Sequence, residues 1–189
     1  METSGRMEIV EREIPGVFEI RPKRIEDARG WFSEAFKASA LTERGIDVEF
    51  VQDNRSLSRD AGTVRGLHFQ LPPFAQAKLV SVVRGAILDV AVDLRRSSPT
   101  FGRHVAARLS ADSGNQLYVP EGFGHGFCTL EPDVEVFYKV SAPYAPAHDR
   151  AVLWDDPALG IVWPVDAAAA KLSPKDAAAP RLADAPDLF

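Results

Sequence analysis

Val64–Arg84 reads VRGLHFQLPPFAQAKLVSVVR, two strand-like runs, VRGLHFQ and KLVSVVR, joined by a Pro-Pro turn. Apolar residues alternate there with positions that carry Arg65, His68, Gln70 and Lys78. A strand that only fills a core does not give its inward positions to charge, so these groups point to the mouth of a pocket. They fit a solvated strand face as well, and this stretch alone does not separate the two.

Outward from it, residues 79 to 140 hold LVSVVRG, AILDVAVDLR, RHVAARLS, NQLYVP, GHGFCTL and VEVFYKV, short runs punctuated by Gly, Pro, Ser or Asp. With no helical pattern between them, they predict an all-β antiparallel sandwich or barrel rather than a parallel sheet. In AILDVAVDL, Leu88, Val90, Val92 and Leu94 share one face, and Asp89, Ala91 and Asp93 the other. The two acids either face solvent or line a polar cavity. Upstream, VEREIPGVFEIR (residues 10–21) reads as a strand broken by a Pro-Gly turn, and Asp27-Ala28-Arg29-Gly30 as a turn. SEAFKASALTERG reads as one short helix, with Ser33 as cap and Gly45 as stop, and VEFVQDNRSLS as extended chain. After Tyr144 the composition shifts to Pro, Asp and Ala, which predicts a loop and a short peripheral helix on the barrel up to Asp176. Residues 1–7 and 177–189 read as loose tails.

A chain of 189 residues is most simply one domain with a sizeable core, and 46% hydrophobic with 26% charged residues is ordinary for a globular protein. A net charge of −5 argues against a nucleic-acid or acidic-membrane partner. No apolar run approaches the roughly 18 residues of a spanning helix. The start, METSGRMEIVE, does not read as a signal peptide, and Met7 could serve as an alternative start. A lone Cys128 excludes an intramolecular disulfide and, within GFCTL, reads as a buried packing residue. The expected compartment is the cytoplasm.

The histidines are His68, His104, His125 and His148, and no two stand one residue apart as in a metal-binding cupin, which argues against a metal. There is no Gly-rich phosphate loop, no GxSxG elbow and no Cys-His pair to pursue. The remaining candidates are side chains. His68 suits a base near neutral pH, Lys78 can set positive charge beside a developing oxyanion, and Tyr138, on the face of Val136 and Val140, can donate a proton. Base, electrophile and acid together suit proton abstraction next to a carbonyl. Taken singly, Tyr138 and His68 also read as ordinary buried residues.

VQDNRSLS, TVRGLHFQLPPFAQAKLV, DVAVDLRRSSPTFG, VPEGFGHGF, FYKVSAPYAP and LSPKD resemble, in order, the dTDP-4-dehydrorhamnose 3,5-epimerase family. The resemblance covers about residues 8 to 180, and RGLHFQ, SPTFG and GFGHGF make a specific combination. It implies a cupin-type jelly roll (double-stranded β-helix) that dimerises, uses no metal or other cofactor, and acts on a dTDP-linked 4-keto-6-deoxyhexose. By the same resemblance His68 is the general base and Asp176 its orienting acid. Lys78 stabilises the enolate and Tyr138 is the acid. Nucleotide and diphosphate contacts fall on Arg29, Phe32, Glu34, Gln52, Asn54, Arg65, His125, Asp149 and Lys175, with the Arg29 strand expected from the partner chain. Asp149 stands where the family usually has Glu, and Phe69 where Tyr is common, so the Asp149 contact is the least secure.

The resemblance implies epimerisation at both carbon 3 and carbon 5 in the route to dTDP-L-rhamnose. A relative that inverts one carbon would keep the same core residues. A non-catalytic sugar-nucleotide-binding jelly roll would be expected to lack His68, Tyr138 or Asp176, and all three are present.

Overall fold

The computed structural model describes residues 7–189. Its strands are β1 (Glu8–Glu11), β2 (Phe18–Arg21), β3 (Arg24–Asp27), β4 (Gly30–Ser33), β5 (Gln52–Ser58), β6 (Val64–Gln70) and β7 (Lys78–Arg84). There follow β8 (Ala86–Asp93), β9 (His104–Ser110), β10 (Gln116–Val119), β11 (Phe123–Thr129), β12 (Val134–Val140) and β13 (Asp149–Ala151). Helix α1 (Ala38–Thr42) lies between β4 and β5, and α2 (Pro174–Ala177) near the C-terminus.

The strands form a six-stranded sheet, β1-β2-β10-β7-β12-β5, and a five-stranded sheet, β13-β6-β11-β8-β9, with β3-β4 as a separate hairpin. Pairing within them is antiparallel. Val80, Val82 and Val136 from one sheet meet Ile87, Ala91, Val105 and Phe127 from the other in a shared apolar layer. Two antiparallel sheets closed over one such layer are the jelly roll expected from the sequence.

Strand β8 is buried on both faces, which explains its nearly continuous apolar reading. Ala91 belongs to the layer between the sheets, so Asp89 and Asp93 of the same face point into the interior and not to solvent. Asp93 accepts hydrogen bonds from Arg95, Ser98 and Thr100. Burial would raise its pKa, but these bonds outweigh that and hold it well below the usual carboxylate range. Cys128 is packed with Val64 and Trp154, and burial pushes its thiol up to about 11.

Val10 to Arg21 turns at Pro15-Gly16 as expected, with Gly16 at φ 92°, and its two halves pair as a hairpin. Two local expectations change. The helix is shorter than SEAFKASALTERG, and Ser33 does not cap it. Ser33 pairs with Arg24 at the end of β4, Gln116 Nε2 donates to the Ala35 carbonyl, and the chain turns helical only after extended Lys37. Gly45 ends that helical stretch as expected, at φ 77°.

The last residues are not loose. Leu182, Ala185, Leu188 and Phe189 pack against Leu67, Phe69, Val92 and Leu94 on the outer face of the five-stranded sheet. Phe189 also exchanges backbone hydrogen bonds with Leu94 and Arg96. Covering one large apolar side chain is worth roughly 1.5–3 kcal/mol, so a sheet face of this kind draws its cover from any apolar chain in reach. The Ala- and Pro-rich composition hides the four residues that do it. Of the other expected tail, only Met7 lies within the described residues.

Candidate active site

Two adjoining cavities of about 360 and 240 Å³ open at one mouth of the jelly roll and share His68, Lys78, Tyr138 and Lys175 in their walls. Strand β6 supplies Arg65, His68 and Gln70, β7 opens with Lys78, β12 supplies Tyr138, β11 His125, and β5 Gln52 and Asn54. A larger cavity of about 470 Å³ lies on the outer face of the six-stranded sheet beside β3-β4, but its walls, with Trp31, Phe36, Leu79 and Phe137, are mainly apolar. It brings together no base and acid.

Arg65 and His68 are three residues apart, and strict alternation would send them to opposite faces. Both line the inner cavity, because the β6–β11 register shifts between His125 and Phe127. Gly66 and Gly126 sit face to face at that shift. A Cβ on Gly66 would lie 2.5 Å from the Gly126 Cα, and its φ of 128° disfavours any other residue.

His68 Nε2 meets Asp176 Oδ1 at 2.5 Å. The acid sits in α2, held by the 3.1 Å bond from its backbone N–H to Ser173 Oγ and by its own burial. Burial alone would raise Asp176, but the His68 and Ser173 hydrogen bonds outweigh it and hold the carboxyl below its ordinary value. A carboxylate on Nε2 leaves Nδ1 as the nitrogen able to take a proton.

Lys78 is almost completely buried and donates to the His68 carbonyl at 3.3 Å. Burial lowers its ammonium to about 8, against the opposing pull of Asp89 and Asp149. Tyr138 is half-buried, and burial raises its phenol, with Arg65 working the other way and Asp149 adding to the rise. A tyrosine held protonated in a pocket shared with a buried lysine has a proton it can donate.

Arg65 donates to Ser58 Oγ and the Leu57 carbonyl, which aims it along the inner cavity wall. Asp149 accepts from Lys175 and, at 3.0 Å, from the Tyr144 hydroxyl. Gln52 Nε2 donates to Asn54 Oδ1 at 2.8 Å. Arg65, Lys78 and Lys175 converge on a space of only about 240 Å³, so a chain of net charge −5 still offers a local anion site. Of the residues picked from sequence, Arg29, Phe32 and Glu34 are not brought there. Arg29 lies at the exposed tip of β3-β4, ion-paired with Asp27, and Phe32 is 69% exposed on the same hairpin. His125 lies at the floor, beside His68 in the β6–β11 register.

Sequence reading missed Tyr144 and Gln76, which line the outer cavity. Tyr144 sits in a loop, where no periodicity marks a face; in the structure its ring is exposed and its backbone N–H donates to Gln52 Oε1 at 3.2 Å. Among the described residues, no group of three or more His, Cys, Asp or Glu is arranged to hold a metal ion.

A jelly roll whose cationic mouth joins a His–Asp pair, a buried lysine and a protonated tyrosine is built for acid–base chemistry on an anionic substrate. Sequence comparison agrees, since the model of the dTDP-4-dehydrorhamnose 3,5-epimerase family matches residues 11–184. The dTDP-4-dehydrorhamnose 3,5-epimerase of Sinorhizobium fredii is 54% identical over 170 residues, 90% of this chain and 87% of that protein. A crystal structure of dTDP-4-dehydrorhamnose 3,5-epimerase from Bacillus anthracis, with TDP and PPi bound, superposes with a TM-score of 0.90 at 47% identity, covering 93% of this chain and 99% of that one. The Legionella pneumophila dTDP-6-deoxy-D-glucose-3,5-epimerase, in complex with dTDP-4-keto-L-rhamnose, gives 0.89 at 43% identity and 94% of each chain. The chain belongs to the dTDP-4-dehydrorhamnose 3,5-epimerase family.

Proposed function

We propose that this enzyme, an isomerase, epimerises carbons 3 and 5 of dTDP-4-dehydro-6-deoxy-D-glucose to give dTDP-4-dehydro-L-rhamnose, in dTDP-L-rhamnose biosynthesis. The observation that carries the reading is the meeting of His68–Asp176, Lys78 and Tyr138 around one cavity in a chain of this family. Carbons 3 and 5 both flank the ketone at carbon 4, so loss of either proton gives an enolate. His68, oriented through Nε2 by Asp176, removes that proton. Lys78 stabilises the charge on the ketone oxygen, and Tyr138 returns a proton from the other side. No carbon changes oxidation state overall, so the steps are proton transfers that side chains can perform.

Arg65 and Lys175 are placed for the diphosphate, and Gln52, Asn54, Asp149 and the exposed Tyr144 ring for the nucleoside end at the outer cavity. We assign His125, buried in the wall of the inner cavity, to the sugar rather than to the diphosphate. Arg29, Phe32 and Glu34 act from a second copy of the chain, so the working unit is a homodimer whose sites are completed across the interface. The compartment is the cytoplasm, in keeping with one buried, unoxidised thiol. No described helix is long and apolar enough to cross a membrane.

The test is proton NMR of the enzyme with dTDP-4-keto-6-deoxyglucose in deuterium oxide, with a reductase trapping the product. Deuterium at both carbon 3 and carbon 5 is expected. Exchange and inversion at one carbon alone would replace the reading with a single-carbon epimerase, and no exchange would replace it with a binding protein.

A further inference from the structure

Asp89 is fully buried on β8, yet only one of its carboxylate oxygens has a partner. Oδ1 lies 2.8 Å from His125 Nε2, while Oδ2 makes no hydrogen bond. A carboxylate kept only for packing is normally satisfied on both oxygens, because an unpaired buried acceptor is costly. Something else at the floor of the pocket accounts for it.

The charged and titratable groups around Lys78 are Asp89 from β8, Asp149 from β13, Lys175 and Asp176 from α2, Arg65 and His68 from β6, His125 from β11 and Tyr138 from β12, with Asp176 already engaged by His68. Asp149 is already engaged by Lys175 and Tyr144. His125 is kept neutral, since its burial outweighs the pull of Asp89 and adds to the repulsion from Lys78 and His68. Among the acids around Lys78, Asp89 alone keeps a buried carboxylate oxygen with no partner. It sits where a buried ammonium needs a counter-charge.

Resting on the epimerase reading above, we propose that Asp89 is a positioning residue of the reaction. Its Oδ1 fixes the His125 ring at the pocket floor, and its unshared charge keeps Lys78 in the ammonium form that the enolate requires. With Nε2–H donated to Asp89, His125 presents Nδ1 as an acceptor for a sugar hydroxyl. Without the charge of Asp89, burial would strip the lysine of its proton at a lower pH.

The experiment compares the full-length wild type with Asp89→Asn and Asp89→Glu. The carbon-13 Cε resonance of Lys78, assigned by its loss in Lys78→Arg, is followed against pH, and kcat and KM for dTDP-4-keto-6-deoxyglucose over the same range. Wild type should titrate near 8, with kcat falling as pH rises through that point, because only the ammonium stabilises the enolate. In Asp89→Asn the midpoint should move down by about one pH unit. A one-unit shift from near 8 still leaves about half of Lys78 protonated at pH 7, so the charge effect alone should lower kcat there only about twofold. The unfixed His125 ring should carry the rest of a fall of about 10- to 100-fold, with little change in KM. Asp89→Glu should return the midpoint toward wild type.

An unmoved Lys78 midpoint in folded Asp89→Asn overturns the proposal, and so does an equal loss in the Asn and Glu variants. If the Asn variant does not fold, the Glu variant decides alone. A midpoint close to wild type supports the role, and a fall like that expected for Asn removes it. A wild type that leaves this sugar nucleotide unchanged would refute the substrate reading, while the lysine titration would still decide the charge of Asp89.

Discussion

The contact between His68 Nε2 and Asp176 Oδ1 decides which imidazole nitrogen is free to act. An Asn at position 176 could donate as well as accept, so it would no longer hold the proton on Nε2. Asp176→Asn should therefore slow deuterium wash-in at the sugar carbons by about 100-fold or more while leaving nucleotide binding nearly intact. His68→Ala should abolish wash-in, and exchange retained at the wild-type rate would remove His68 as the base. Lys78 shows the other side of the same chemistry. A surface lysine would hold its proton past any working pH, whereas this buried one lets go near 8, close enough for neighbouring acids to govern it.

The β6–β11 pair is the element on which the pocket depends. The register shift at Gly66 and Gly126 brings Arg65 and His68 to one wall and sets His125 beside them. Gly66→Ala would push a methyl to 2.5 Å from Gly126 Cα and 2.8 Å from the His125 carbonyl, with backbone on both sides and no side chain to yield. We expect it to cost about 1–3 kcal/mol in chemical denaturation and to lower kcat by displacing both histidines. Unchanged stability would mean that the two strands separate more easily than their contact implies. The segment from β13 to the C-terminus matters in a similar way. It covers the outer face of the same sheet and carries Asp176 on a four-residue helix capped by Ser173.

Across the molecule, one feature sits apart from the rest. The β3-β4 hairpin exposes Ile25, Trp31 and Phe32, and it borders the apolar cavity of about 470 Å³ on the six-stranded sheet. An apolar hairpin of this kind beside an apolar cleft is the surface expected to meet another chain. Under the homodimer reading, sedimentation velocity should give a dimer, and Ile25→Asp should shift it toward monomer. Activity should fall with it, since Arg29, Phe32 and Glu34 would no longer reach a neighbouring pocket. A fully active monomer would show that each pocket is complete within one chain.

Strand spacing and turn residues made the all-β class legible, because alternation and Gly/Pro punctuation are local properties of the chain. The same alternation placed Asp89 and Asp93 together on β8. Side-chain chemistry suggested what His68, Lys78 and Tyr138 could do, and resemblance to a family, rather than spacing, supplied the partner Asp176. Local pattern could not say that the Asp89 face is buried, or that His125, 36 residues on, would close on it. Nor could it bring Asp176 to His68 across 108 residues, or send Arg65 and His68 to one wall against strict alternation. Those outcomes depend on which strands become neighbours when the two sheets close, and on a glycine contact that lets one pair slip. Alternation repeats every two residues along a strand, whereas the pocket is assembled across strands that meet only once the jelly roll has formed.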